Sequence, residues 1–134
     1  MMNSVLHHLG IGLADPRAAE PFFDRLFTGF LGLEKEMTTE AIAGWRGRGT
    51  RFYLYGASGG SLPGALQHLA FSARSPAEVD KFARWAKDNG IVLLSGPKAF
   101  PEYGAGYYAA YFEGPEGLRL ELVHFMDSEP SEFL

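Results

Sequence analysis

Hydrophobic and polar positions along the chain follow one scheme twice. Residues 5–13 set Val5, Leu9, Ile11 and Leu13 against His8, Gly10 and Gly12, the period of two that marks a half-buried strand. Asp15-Pro16 follows as an N-cap and a first helical residue. Phe22, Phe23, Leu26 and Phe27 recur at helical spacing and predict an amphipathic helix over 16–27. Pro21 falls inside that span, where it kinks the helix or delays its start. Gly29 and Gly32 close it. Short strands are then expected over 33–37, 42–46 and 50–55, divided by turn residues.

The scheme begins again at residue 66. Leu69 and Phe71 alternate with His68, Ala70 and Ser72, and Ser75-Pro76 repeats the cap and proline. Val79, Phe82, Ala83 and Ala86 form a helical stripe that Asn89-Gly90 closes. Strands are expected over 91–94, 107–113 and 118–123, with Gly114-Pro115-Glu116-Gly117 as the turn between the last two. His8 falls on His68, Leu9 on Leu69, Pro16 on Pro76 and Phe22 on Phe82, a constant displacement of 60 positions. This is an internal repeat of one βαβββ unit. An α+β fold of two tandem βαβββ modules is predicted, over about 1–56 and 65–126. The uncharged, glycine-rich stretch 56–64 is the linker. The two open, curved sheets are expected to wrap a cavity.

Composition narrows the function. The 134 residues suit one domain. Lys plus Arg is 12 against 16 Asp plus Glu, a net charge of −4, which offers no general attraction to nucleic acid or anionic lipid. There is no cysteine, which excludes disulfides, thiolate nucleophiles and Cys-based metal sites. No stretch reaches the roughly 18 apolar residues of a membrane helix, and the N-terminus lacks a signal-peptide pattern. A soluble cytoplasmic protein is the expectation. Eleven Phe, six Tyr and 17 Gly suit strands, turns and a small-molecule cavity.

Alternation also sorts the polar residues. If the apolar set of each strand packs on the helices, the other set faces the concave side. That set holds His8, His68 and Glu121, with Arg51, Tyr53, Tyr55 and Arg119. Two imidazoles and a carboxylate are the facial triad of a divalent metal such as Fe(II), and Mn(II), Ni(II) or Zn(II) also suits these ligands. Read alone, His8 is equally a hydrogen-bonded histidine on a polar sheet face, and Glu121 a solvated edge residue. The matched His68 favours the ligand reading. Tyr53 stands between pocket wall and catalytic proton donor. Arg51, Tyr55, Tyr108 and Arg119 are candidate substrate-binding residues, and Trp45, Phe100 and Tyr103 candidate pocket walls. His7 is expected on the helix side and His124 on the face opposite Glu121.

Several segments resemble the vicinal oxygen chelate superfamily, which includes glyoxalase I, bleomycin-resistance proteins, fosfomycin-resistance enzymes and extradiol dioxygenases. They are His8-Leu9-Gly10-Ile11-Gly12-Leu13-Ala14-Asp15, the helix bearing Phe22-Phe23, Gln67-His68-Leu69-Ala70-Phe71, and Phe112-Glu113-Gly114-Pro115-Glu116-Gly117-Leu118-Arg119-Leu120-Glu121-Leu122-Val123. The resemblance spans nearly the whole chain. It implies the glyoxalase/bleomycin resistance/dihydroxybiphenyl dioxygenase fold, a divalent metal on His8, His68 and Glu121, a substrate chelating it through neighbouring oxygens, and a homodimer. In glyoxalase I a fourth, carboxylate ligand stands where this chain has Tyr53, so the three-ligand set is closer to the dioxygenase and fosfomycin-type members. Two functions follow: a metal-dependent small-molecule enzyme of dioxygenase-like or lyase/isomerase-like chemistry, or a metal-free binder that sequesters an aromatic molecule.

Overall fold

The computed structural model describes residues 5–56, 66 and 68–125. The chain forms two compact units, 1–65 and 66–134. In the first, β1 (His8–Leu13) leads into α1 (Pro16–Phe23) and a π-helical segment Asp24–Phe30. The antiparallel run β2 (Glu34–Thr38), β3 (Ile42–Gly47) and β4 (Thr50–Gly56) follows. The sheet order is β1-β4-β3-β2, with β1 parallel to β4. In the second unit β5 (Leu69–Ser72) leads into α2 (Pro76–Asp88). Then come β6 (Leu93–Ala99), β7 (Tyr107–Glu113) and β8 (Arg119–Phe125). The order β5-β8-β7-β6, with β5 parallel to β8, repeats that of the first sheet. The two tandem βαβββ modules and their open sheets are as the repeat predicts. The linker, apart from Gly56, lies outside the described residues.

Each helix is fastened where its sequence signals stand. Asp15 accepts a hydrogen bond from the Ala18 N–H at 3.1 Å, and Ser75 one from the Glu78 N–H at 3.1 Å. Both satisfy amides that the first helical turn leaves without a partner. Pro21 neither delays α1 nor ends it. It has no N–H to give to the carbonyl of Arg17, and three residues after it the backbone widens into the π-helical segment. The Leu31 N–H bonds the Leu26 carbonyl at 2.9 Å, five residues back. The helical run thus extends to Phe30, three residues past the expected end.

Phe23, Leu26, Phe27, Trp45 and Leu54 fill the first core, and Val79, Phe82, Phe112, Leu120 and Leu122 the second. Phe27 stacks on Phe52 at 4.7 Å between centroids, and Phe82 meets Phe112 at 4.6 Å. Each such side chain contributes about 1.5–3 kcal/mol on leaving water. Trp45, a candidate pocket wall, belongs to this core instead: it is fully buried and its indole N–H donates to Asp24 Oδ1 at 3.0 Å.

Strand boundaries differ from expectation where pairing rather than pattern decides. Regular β1 structure begins at His8, opposite Arg51, and Val5 is fully exposed. The strand expected over 91–94 runs on to Ala99, through Ser95-Gly96-Pro97-Lys98. β6 is the sheet edge and its register breaks between Ser95 and Lys98. An edge strand tolerates a proline there, since only one side must be paired.

Candidate functional site

In the second unit the central strand β8 carries Glu121, whose neighbours Leu120 and Leu122 pack into the core. Glu121 is fully buried, at 0% exposure. A buried carboxylate is costly unless its oxygens are partnered. One is: Tyr107 on β7 donates its hydroxyl to Oε2 at 2.5 Å, a short, charge-assisted bond. Burial and then this bond push the Tyr107 hydroxyl far above the ordinary tyrosine range, so it remains a donor. The other oxygen, Oε1, is buried and makes no hydrogen bond among the described residues. His68 Nε2 comes within 3.2 Å of it. His68 is about one-third exposed.

His68 borders a cavity of about 540 Å³ with Phe100, Tyr103, Tyr107, Tyr111 and Arg119, a size that suits a small molecule. The Arg119 guanidinium lies over the Tyr111 ring, 5.6 Å from its centroid. Phe100 and Tyr103, candidate walls from the sequence, do line this space. Tyr108 does not. It points from the opposite face of β7 and donates its hydroxyl to Asp80 Oδ1 on α2 at 2.6 Å. The alternation that sets Phe112 against Phe82 of α2 forces this. Tyr107 and Tyr111 take its place. Alternation counted back from Phe112 would have identified both.

The first unit carries the other predicted residues. His8 opens β1 and is exposed, with its ring 6.0 Å from that of Tyr53. His8 Nδ1 and His7 Nδ1 are 3.0 Å apart. His7 is itself exposed rather than on the helix side, because it precedes the regular strand. Glu36 on β2, which no motif singled out, organises this face. It accepts from Arg51 Nε at 3.2 Å and from the Tyr53 hydroxyl at 3.4 Å. Arg51 is therefore already ion-paired. Partial burial, and next the Glu36 charge, raise the Tyr53 hydroxyl above its ordinary range. That makes it a hydrogen-bond donor rather than a base. The Tyr53 and Tyr55 rings lie against Gly44 and Gly10, where an added Cβ would come within 2.7 and 2.9 Å of them. Among the described residues, no group of three or more His, Asp or Glu side chains stands close enough together to hold a metal ion.

Comparison with known proteins extends these observations. The family model for the Glyoxalase/Bleomycin resistance protein/Dioxygenase superfamily matches residues 5–122. Among solved structures, a candidate glyoxalase from Bacillus halodurans superposes with a TM-score of 0.77 at 26% identity, covering 91% of this chain and 96% of its own. A glyoxalase/bleomycin resistance protein from Albidiferax ferrireducens T118 gives 0.71 at 24%, covering 91% and 99%. Lactoylglutathione lyase from Agrobacterium tumefaciens gives 0.70 at 20%, covering 92% and 96%. The last two speak for the fold alone. No curated protein matches the chain.

Proposed function

The chain belongs to the Glyoxalase/Bleomycin resistance protein/Dioxygenase superfamily, and from that membership we propose that it is a divalent-metal-dependent enzyme acting on a small molecule. His8, His68 and Glu121 are the proposed ligands, for Fe(II), Mn(II), Ni(II) or Zn(II). One observation carries the reading: Glu121 Oε1 is buried without a hydrogen bond, 3.2 Å from His68 Nε2. Two ligand atoms bound at right angles to one cation stand about 3 Å apart, given bonds of about 2.1 Å. A cation would also supply the partner for Oε1 that no hydrogen bond provides.

The chain's own groups have definable parts. Tyr107 holds Glu121 by Oε2 and so leaves Oε1 as the coordinating oxygen, an orienting role common around metal ligands. His7, in contact with His8 Nδ1, would fix the tautomer that leaves His8 Nε2 its lone pair. A bound divalent ion would supply Lewis-acid polarisation of the substrate's oxygens. The cavity walls would orient the substrate and exclude water. Tyr53 would serve as a hydrogen-bond donor. Dioxygenase-like and lyase/isomerase-like chemistry are both compatible with this set. Homodimer formation, location in the cytoplasm and modules over 1–56 and 65–126 joined by 56–64 belong to the same reading.

The test is metal content after exposure to each ion and dialysis. The wild-type chain should retain about one equivalent, and its thermal midpoint should rise with metal. H68A and E121Q should lose both effects. Full occupancy in either variant would remove that residue from the site. A second reading, a metal-free binder of an aromatic molecule, draws on the four rings around the cavity. A wild-type chain that takes up none of the four ions would favour it.

A further inference from the structure

The same cavity also carries a statement about ligand class. Its rings are not arranged at random. Phe100 and Tyr103 are nearly parallel, at 18° and 5.7 Å between centroids. Tyr111 stands at 83° to Phe100, and Tyr107 at 68° to Tyr103. Lys98 Nζ also lies over the Phe100 ring, 5.1 Å from its centroid, and rings set at these mutual angles would offer a flat guest both stacked and edge contacts, the two favourable aromatic arrangements. The cage is built into the backbone. After the short turn Pro101–Tyr103, Gly104 has φ of +145°, and a Cβ there would come within 2.7 Å of the Phe125 ring, itself packed on Tyr107 at 5.2 Å.

Charge then selects among flat guests. Arg119 is exposed at the rim and, among the described residues, has no carboxylate within ion-pairing distance. Its recorded contact is the face of Tyr111. Over that ring the exposed guanidinium can still offer its N–H groups, the fork that matches a carboxylate. A cationic guest would meet a like charge at this wall. A saturated acid would satisfy Arg119 but forgo the ring contacts.

We propose that the cavity takes a small arenecarboxylate, with its ring among Phe100, Tyr103, Tyr107 and Tyr111 and its carboxylate on Arg119. This deepens the reading above, because it seats the substrate in the space that the proposed ligand His68 borders.

The test is calorimetric titration of the full chain, freed of metal by a chelator, with benzoate, cyclohexanecarboxylate and benzyl alcohol. Benzoate should bind about tenfold more tightly than either, since each comparison lacks one of the two contacts. R119M should weaken benzoate about tenfold and benzyl alcohol less than about twofold. R119K serves if R119M fails to fold. It keeps the charge without the fork, and should weaken benzoate by less than R119M but still measurably. Equal binding of benzoate and cyclohexanecarboxylate, benzoate affinity unchanged in R119M (or in R119K where that stands in), or no benzoate binding would overturn the proposal. Metal content is read separately. Benzoate binding by a chain that takes up no metal supports the ligand class and sinks only the metal reading. Metal uptake without benzoate binding does the reverse.

Discussion

Glu121 concentrates the chemistry of the second unit in one side chain. A carboxylate at 0% exposure among leucines is tolerable only if partners replace the water it gave up. Tyr107 supplies one. Y107F would leave Oε2 without its donor, and should destabilise the metal-free chain by about 1–3 kcal/mol in urea denaturation. An unchanged midpoint would mean that the hydrogen bond contributes little. The raised Tyr107 hydroxyl has a definite linkage sign. Its stabilising contribution is fully present below the ordinary tyrosine pKa, about 10, and is lost as pH rises through the higher folded value. Wild type and Y107F should therefore converge in stability only in strong alkali.

At the scale of elements, a charged cluster joins helix to sheet in the first unit. Lys35 on β2 donates to Glu20 on α1 at 2.6 Å and to Asp24 at 2.7 Å, and lies over the Trp45 ring. The hydrogen bond from Lys35 lowers the Glu20 pKa against the opposing effect of desolvation. Burial draws Lys35 down, but its bonds to Asp24 and Glu20 outweigh it and leave its pKa raised. The Glu20 contribution is present above its unfolded pKa and disappears as pH falls through the lowered folded value. The Lys35 contribution is lost only as pH rises past its raised one. K35M should cost about 1 kcal/mol at pH 7, the scale of a partly exposed ion pair. That difference should shrink below about pH 4, where carboxylates protonate. A penalty that is constant from pH 3 to pH 7 would assign the role of Lys35 to packing on Trp45 instead. The elements themselves were legible from periodicity and caps. What periodicity did not reach was the far end of the edge strand, which runs on past residue 94 through Ser95-Gly96-Pro97 because only one side needs partners.

At the scale of the molecule, both units repeat the same strand order, as the displacement of 60 positions requires. Among the described residues no helix is long and apolar enough to cross a membrane. The proposed homodimer is tested by light scattering at micromolar concentration, where a mass near twice that of the chain is expected. A monomer mass would leave each active chain self-sufficient.

Periodicity, caps and the internal repeat by themselves determined the two βαβββ modules, because burial of one face per strand and one stripe per helix is written in adjacent positions. They also determined that Glu121 and Arg119 share a parity on β8. Only tertiary packing decided that Glu121 would be fully buried with one oxygen held by Tyr107. The same packing turned Tyr108 to Asp80 and engaged Arg51 with Glu36. Those outcomes depend on which side chain from a neighbouring strand or helix arrives at hydrogen-bonding distance. Contacts of that kind join positions 14 to 28 residues apart, beyond the reach of any local pattern.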